Sequence, residues 1–489
     1  MIPLLTAAEM QGLEQEAIAT WGMPSLVLQE HAAMGALALL PAGKPLDVLA
    51  GPGNNGGDAL ALARLARLDG RAVRVWALAP RPKWKGDAGL QAALWEGLGG
   101  SYQHAADPRA AVAGFHGWVV DGLFGLGTRL PLTEAAAAWV RALAEAAGPA
   151  APFKVLALDL PSGLDPSSPE AGDPVVLADR TACFGHLKVC HGLRPARDRC
   201  GEITRIPIPL DRAPEPGLHL LERPVPSLPT RWDTHKKDFG HVGIRAGSTG
   251  MSGAAVMAAQ GALRAGAGLV TVLPDPEVRS EVAVQVPEAM VQPWEGRVPE
   301  GIDVLLVGPG GIQQVPAWDG PLVLDASALA EGAGPGWMAR AQTVITPHPG
   351  EFIRLFGGAL SHSTGERLAR AREVAKGPGI LALKGAQTIL AGGGDPGLWV
   401  NPTGHRGLST GGSGDFLAGM VAAKVAQWRK QRWQGMVPDL QALKRAVGEA
   451  LWLHGAAADR LGPGPLMIRE LGPSLAALQR ELIRDSDGQ

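Results

Sequence analysis

The chain has 489 residues, 46% of them hydrophobic and 19% charged, with a formal net charge of -2. That length allows two to four domains, and that hydrophobic fraction belongs to a globular chain able to bury large cores. The balanced charge gives no electrostatic hold on nucleic acid or on an acidic membrane surface, so neither is expected as a partner.

The first stretch, MIPLLTAAEMQGLEQEAIATWG, lacks the basic start and unbroken apolar core of a signal peptide, and its Glu9, Glu14 and Glu16 alternate with apolar residues as in a helix. No run of about 18 apolar residues occurs without charge, Gly or Pro, so no membrane span is expected. Strand-like runs follow at 47–50, 72–78, 118–121 and 155–159, with Ala-rich helical patterns at 59–68 and 135–146. Cys183, Cys190 and Cys200 are an odd set without a C-x-x-C, which favours a reducing cytoplasm over a disulfide framework. Their neighbourhood with His186 and His191 has no standard zinc spacing and is read as structural. Residues 211–230 hold many prolines and no period, the mark of a linker or wrapped connection. Beyond them strand-like runs resume at 242–246, 269–273, 304–307, 322–325, 343–346 and 380–383, and a long helix follows Gly414. Alternating strand and helix predicts α/β domains with parallel sheets covered on both faces, and ligands belong at the carboxyl ends of the strands.

Three strand ends in the first half carry chemistry. Gly51-Pro-Gly53-Asn54-Asn55-Gly56-Gly57-Asp58 contains a literal G-x-G-x-x-G, but the next strand ends in Ala77, Ala79 and Pro80 without the acid that binds a dinucleotide ribose. What is left is a tight turn at a helix start, suited to an anion on the backbone amides or to a hard cation on the Asn and Asp oxygens; a plain helix cap is the bland alternative. The other two ends are Asp121, leading into Gly122-Leu-Phe-Gly125-Leu126-Gly127-Thr128-Arg129-Leu130-Pro131, and Asp159, leading into Leu-Pro161-Ser162-Gly163. An Asp there can accept a proton or hold a cation. In order and spacing these motifs resemble the N-terminal epimerase domain of the bifunctional NAD(P)HX repair enzymes, over about residues 1–210. The resemblance implies a Rossmann-like domain that interconverts the R and S hydrates of NADH or NADPH. It implies substrate contacts from Asn54, Asn55, Gly56, Gly57, Asp58 and from Gly125 to Pro131. It further implies potassium on Asn55, Asp121 and Ser162, with Asp159 as acid or base. Lys188 stands near this cleft without an assigned role.

In the second half, Gly411-Gly412-Ser413-Gly414-Asp415 enters the long helix. Converging amides there make an anion hole for a transferring phosphoryl group, and Asp415 at its edge is placed to take a proton from an attacking hydroxyl. Lys384 and Thr388 lie on a predicted hairpin, and His348 sits between prolines at a strand end. No G-x-x-x-x-G-K-[ST] is present, which excludes a P-loop NTPase. The series FGHV, AGSTGMSGAA, GPG, TPHPGE, KGAQT and TGGSGD resembles the ribokinase-like NAD(P)HX dehydratases over about 225–480. That resemblance implies ADP, or alternatively ATP, with Mg2+, and phosphorylation of the S-hydrate followed by loss of phosphate. It implies hydrate contacts from Ala255, Gly310, His348 and Asp415, and nucleotide contacts from Lys384, Gly385, Ala386, Gln387, Thr388 and Gly414. Two departures stand out: Gly311-Ile312 replaces the usual Leu-Gly after Gly310, and Ser327 stands where relatives have Asp. The expected architecture is therefore an epimerase domain over 1–212, a linker over 213–228 and a dehydratase domain over 229–489, in a cytoplasmic homo-oligomer. The rival readings are a sugar- or vitamin-type kinase with a fused ligand-binding domain, and a nucleotide sensor regulating the second half.

Overall fold

The computed structural model describes residues 1–210, 217–225, 233–430 and 439–487. Two compact units emerge, one formed essentially by residues 2–216 and the other by residues 217–489.

In the first unit the strands are β1 (Leu46–Ala50), β2 (Val73–Ala77), β3 (Tyr102–Gln103), β4 (Gly117–Gly122), β5 (Phe153–Leu158), β6 (Arg180–Phe184) and β7 (Glu202–Ile206). They stand in the order β3-β2-β1-β4-β5-β6-β7, and every pairing is parallel. β1 and β5 are almost wholly buried, as expected of strands covered on both faces. Helices Ser25–Ala38 and Asn54–Leu68 seal one part of the core with Ala32, Ala36, Leu60 and Ala63. Helix Glu134–Ala146 seals another, setting Trp139, Val140 and Leu143 against Val119 and Val155. The chain reverses direction across the sheet between β1 and β4, which opens a crevice beyond their carboxyl ends. The register pairs Leu49 with Asp121 and Ala50 with Gly122, so the loops after both strands leave at the same level.

The second unit has β8 (Leu218–Leu220), β9 (His241–Arg245), β10 (Leu269–Val272), β11 (Met290–Val291), β12 (Val304–Val307), β13 (Leu322–Leu324), β14 (Thr343–Ile345), β15 (Ile380–Leu383), β16 (Ile389–Gly392) and β17 (Asp395–Val400). Their order is β8-β17-β16-β15-β14-β13-β12-β9-β10-β11. Pairing is parallel from β11 to β15, and β15-β16-β17 form antiparallel hairpins, as expected for the segment bearing Lys384 and Thr388. The crevice here opens beyond β9 and β12. Strand β8 lies within the stretch read as a linker, yet it pairs in parallel with β17. Its alternating Leu218, His219, Leu220 is a short strand pattern that the surrounding prolines obscure. The remainder of that stretch, 213–216 and 226–228, lies outside the described residues.

Helices Ser252–Arg264 and Ser413–Lys430 pack at the centre of this unit and can meet only because their contact is made of glycine. A methyl on Gly419 would fall 1.9 Å from the Ala258 carbonyl oxygen, and one on Gly261 would fall 2.0 Å from that of Phe416. Backbone cannot yield as a flexible side chain can. Overpacking of this kind costs roughly 1–3 kcal/mol, so Gly419→Ala is expected to lower the unfolding temperature by several degrees in a thermal melt. An unchanged melt would mean that the two helices are free to separate.

Candidate functional site

At the first crevice, helix Asn54–Leu68 begins within the glycine turn itself, five residues before the expected start at 59, and Gly53 caps it without a side-chain hydrogen bond. The turn is a close approach of backbone to backbone: a Cβ on Gly56 would lie 1.8 Å from the Gly51 carbonyl, and one on Gly51 would lie 1.9 Å from that of Leu123. The result binds the loop after β1 to the loop after β4. Asn55 is buried, and neither its Oδ1 nor its Nδ2 has a hydrogen-bond partner. Its carboxamide lies against Gly125, where an added Cβ would be 3.1 Å from Asn55 Cγ. An orphaned buried amide costs free energy unless a ligand completes it.

Asp121, at the end of β4, is fully buried. It accepts from the Ser162 amide at 2.8 Å and from Ser162 Oγ at 2.6 Å, and burial pushes it up to about 6 despite those bonds. Ser162 Oγ in turn accepts from the Phe124 amide at 3.0 Å. The expected set Asn55, Asp121 and Ser162 is thereby joined through the Gly122–Gly125 turn. Beyond it, Thr128 closes a tight turn by donating from its amide and its hydroxyl to the Gly125 carbonyl, at 2.9 and 2.6 Å. Leu126 is half-buried, whereas Gly127 and Arg129 to Pro131 are exposed at the loop tip.

Asp159 follows β5 with φ at +64°, a left-handed conformation unusual outside glycine, and only 4% of it is exposed. Lys188, wholly buried, donates to Asp159 Oδ1, and at 2.7 Å to the Phe184 carbonyl. Burial works against the ammonium, but the Asp159 charge, aided by Cys183 and Glu14, holds Lys188 above its ordinary range. Asp58 and Glu14 complete the cluster. Burial, and then the charge of Asp159, drives Asp58 well above the carboxylate range and Glu14 up to about 7. The only signal for Glu14 in the sequence was its place on a helical pattern; nothing there tied residue 14 to residue 159. The three cysteines are free and buried, and among the described residues no group of His, Cys, Asp and Glu has the arrangement of a metal site.

At the second crevice, Gly310 has φ at +72°, and a Cβ there would lie 2.9 Å from both the nitrogen and the Cα of Gly247. Ser248 Oγ donates to the Gly310 carbonyl at 2.8 Å. Ala255 is fully buried on helix Ser252–Arg264, its methyl against Gly247. His348 caps helix Pro349–Phe356: its Nδ1 accepts from the Gly350 and Glu351 amides, and its own amide donates to Glu351 Oε2 at 2.8 Å. The ring is otherwise exposed.

Lys384 is the hub. Its Nζ lies 2.6 Å from Asp325 Oδ1 and 3.9 Å from Glu351 Oε2. A Cβ on Gly414 would lie 3.3 Å from Nζ and 3.8 Å from Asp325 Oδ2. Thr346 Oγ1 fixes Asp325 by donating at 2.9 Å. Asp415, in the first turn of helix Ser413–Lys430, is pushed up to about 6 by burial and by the Asp325 and Glu351 charges, against the pull of Lys384. Gly385 and Ala386 are exposed at the hairpin turn, Gln387 and Thr388 are buried, and Arg367 donates to the Lys384 carbonyl at 2.9 Å. Asp325, Glu351 and Arg367 were not among the expected site residues. Ser327 sits in the short turn after Asp325, and the charges facing Lys384 come from Asp325 and Glu351 instead. The arrangement can bind an anion at the glycine turn and accept a proton beside it. A base with its acid form populated below about pH 6 predicts that activity at this site rises with pH through that region and then levels. A rate profile flat from pH 5 to 8 would remove Asp415 from the base role.

The NAD(P)H-hydrate dehydratase family model matches residues 242–467, and the model of the YjeF-related protein N-terminus matches residues 26–190. The bifunctional NAD(P)H-hydrate repair enzyme of Gloeobacter violaceus is 34% identical, over 94% of this chain and 93% of its own. That of Coxiella burnetii is also 34% identical, over 92% and 93%, and that of Escherichia coli is 31% identical, over 90% and 86%. A crystal structure of the ADP/ATP-dependent NAD(P)H-hydrate dehydratase from Bacillus subtilis is 29% identical, covers 52% of this chain and 94% of its own, and aligns with a TM-score of 0.44.

Proposed function

We infer the function from one premise: the chain belongs to the family of bifunctional NAD(P)H-hydrate repair enzymes, which it matches from end to end. It epimerises the R and S hydrates of NADH and NADPH and dehydrates the S form at the expense of an adenine nucleotide. The observation that carries this reading onto the residues is the pair of strand-end sites, each pairing a lysine, buried in the first and part-buried in the second, with a buried aspartate beside a glycine turn.

In the dehydratase site the substrate hydroxyl approaches Asp415, which takes its proton as the phosphoryl group arrives. The amides of Gly411 to Gly414 face the charge that develops on that group, and Lys384 neutralises it further. Loss of the phosphate then restores the dihydronicotinamide ring, releasing AMP and phosphate when ADP is the donor. Lys384 to Thr388 and Gly414 contact the nucleotide, and Ala255, Gly310, His348 and Asp415 the hydrate. Asp325 and Glu351 add the hard oxygen donors suited to Mg2+ accompanying the phosphates. ADP is the expected donor, with ATP the alternative.

In the epimerase site Asn54 to Asp58 and Gly125 to Pro131 embrace the hydrate, and Asp159 handles the proton. The orphaned Asn55 carboxamide, beside Asp121 and Ser162, fits a K+ ion bound through oxygen. Such an ion would supply a fixed positive charge for the nucleotide. Free, buried thiols accord with the cytoplasm as compartment, and a homo-oligomer belongs to the same proposal.

Mixing the protein with R and S NADHX and ADP is expected to restore all of the dihydronicotinamide absorbance. Recovery that stalls at the S fraction would remove the epimerase. Asp415→Asn is expected to lower dehydration at least a hundredfold while R–S exchange, followed by chromatography, continues; loss of both in a folded protein would refute separate sites. Replacing K+ by Na+ should slow epimerisation in the parent, and Asn55→Ala should abolish that difference. A K+ effect that survives the substitution would move the ion elsewhere.

A further inference from the structure

The hydrate carries its hydroxyl on a carbon bonded to the ring nitrogen. That carbon can be inverted by loss of the hydroxyl as water and return of water to the opposite face. The first event calls for an acid and the second, on the other face, for a base, roles that two carboxyls at one site can divide. This inference rests on the epimerase reading above.

Helix Ala7–Trp21 supplies the missing group. Met10 and Ala17 are fully buried, and Glu14 lies on the same face, four residues after one and three before the other. The helix is fastened to the site at its start. The Leu5 amide donates to the Leu187 carbonyl at 2.9 Å, and the Val189 amide donates to the Leu5 carbonyl at 3.0 Å, bracketing Lys188. The Met10 side chain packs on Gly185. Glu14 therefore faces the Asp159–Lys188 pair, whose charges both act on it, and among the described residues its carboxyl has no hydrogen bond or ion pair.

The surrounding charges decide which carboxyl does what. Asp58 comes from helix Asn54–Leu68, with Asp87 acting on it. Cys183 comes from β6, and its Sγ lies 3.8 Å from Lys188 Nζ and 3.5 Å from His191 Nδ1. Arg205 and His186 lie further out, beside Cys183. Lys188 acts on Glu14 as well as on Asp159, and it bonds to Asp159. Among the described residues Glu14 and Asp58 have no ion pair, and burial favours their protonated forms. A carboxyl raised by burial beside one that is ion-paired can serve as the acid of a pair.

We propose that Glu14 is the acid of the epimerase site and Asp159 its base, with Lys188 the positioning residue that holds Asp159 as an aimed carboxylate. Glu14 gives its proton to the hydroxyl. The C–O bond breaks with its electron pair on oxygen, which departs as water, and the ring nitrogen lone pair forms a C=N bond. Water then adds to the opposite face, its proton passing to Asp159, and the C=N pair returns to nitrogen. Proton exchange with solvent resets both carboxyls, so no other reactant is consumed.

The test follows R-to-S exchange in the full-length protein from pH 5 to 9. The parent's kcat/KM is expected to fall as pH rises past about 7, the value to which Glu14 is raised. Glu14→Gln should lower kcat at least thirtyfold and lose that alkaline limb, and Glu14→Asp should keep the limb at a reduced rate. Lys188→Met should lower the rate with Asp159 present and add no further loss in an Asp159→Asn background. A Glu14→Gln protein that keeps its melting temperature and dehydratase activity and epimerises at the parent rate, or retains the limb, overturns the proposal. So does additive loss in the Lys188→Met, Asp159→Asn double variant. A parent protein that never exchanges R and S overturns the epimerase reading itself, and the dehydratase assay separates that outcome from an inactive preparation.

Discussion

Each unit sets a lysine, wholly buried in the first and part-buried in the second, against a buried aspartate that ends a parallel strand. Lys188 with Asp159 and Lys384 with Asp325 are the same solution reached on two sheets. An isolated buried charge is expensive, and removing one partner of a buried pair typically costs about 3–5 kcal/mol. Neither residue can therefore be placed without the other. The pair dictates where the strand must end and how the next loop must return. Burial, and then the charge of the neighbouring carboxylates, pushes Asp58, Glu14 and Asp415 upward beside these pairs. Structural necessity and proton chemistry share one cause.

Glycine makes these crowded ends possible. The crevice beside β1 exists because Gly51 and Gly56 let three backbone segments touch, and the one beside β12 because Gly310 rests on Gly247. These positions bring amides and carboxylates to within reach of one small ligand. They also explain why a G-x-G-x-x-G appears without the acid of an ordinary dinucleotide fold. The glycines serve the turn, and they leave the buried Asn55 carboxamide beside it without a hydrogen-bond partner.

The sequence made the strand ends legible because they combine two signals, an apolar run and an Asp followed by glycines. Asp121, Asp159 and the GGSGD helix entry all fell where that pattern placed them. The helix at Asn54 began earlier than its apolar period because glycines discourage helix locally, and packing overrode that preference. The partners were harder. Glu14 and Lys188 reach Asp159 from 145 and 29 residues away, and neither carries a motif. Asp325 was seen only as the neighbour of Ser327, and Glu351 only as part of TPHPGE. Charge pairing across a sheet has no period, so sequence reading finds one member and misses the other. Strand β8 was hidden for a different reason, since three strand residues among prolines do not reach a detectable run.

The fusion of the units follows from chemistry. A dehydratase that accepts one configuration leaves the other to accumulate, and a slow spontaneous inversion sets the pace of repair. An epimerase on the same chain is present in fixed proportion, so neither hydrate can outlast the other. The two sites ask different things of their carboxyls. In the proposed roles, Asp415 must lose its proton to act on a hydroxyl, so dehydration is expected to grow as pH rises through about 6. Glu14 must keep its proton to expel one, so its activity fades above about 7. The two demands overlap in a band near neutrality, and that is where one chain can run both reactions.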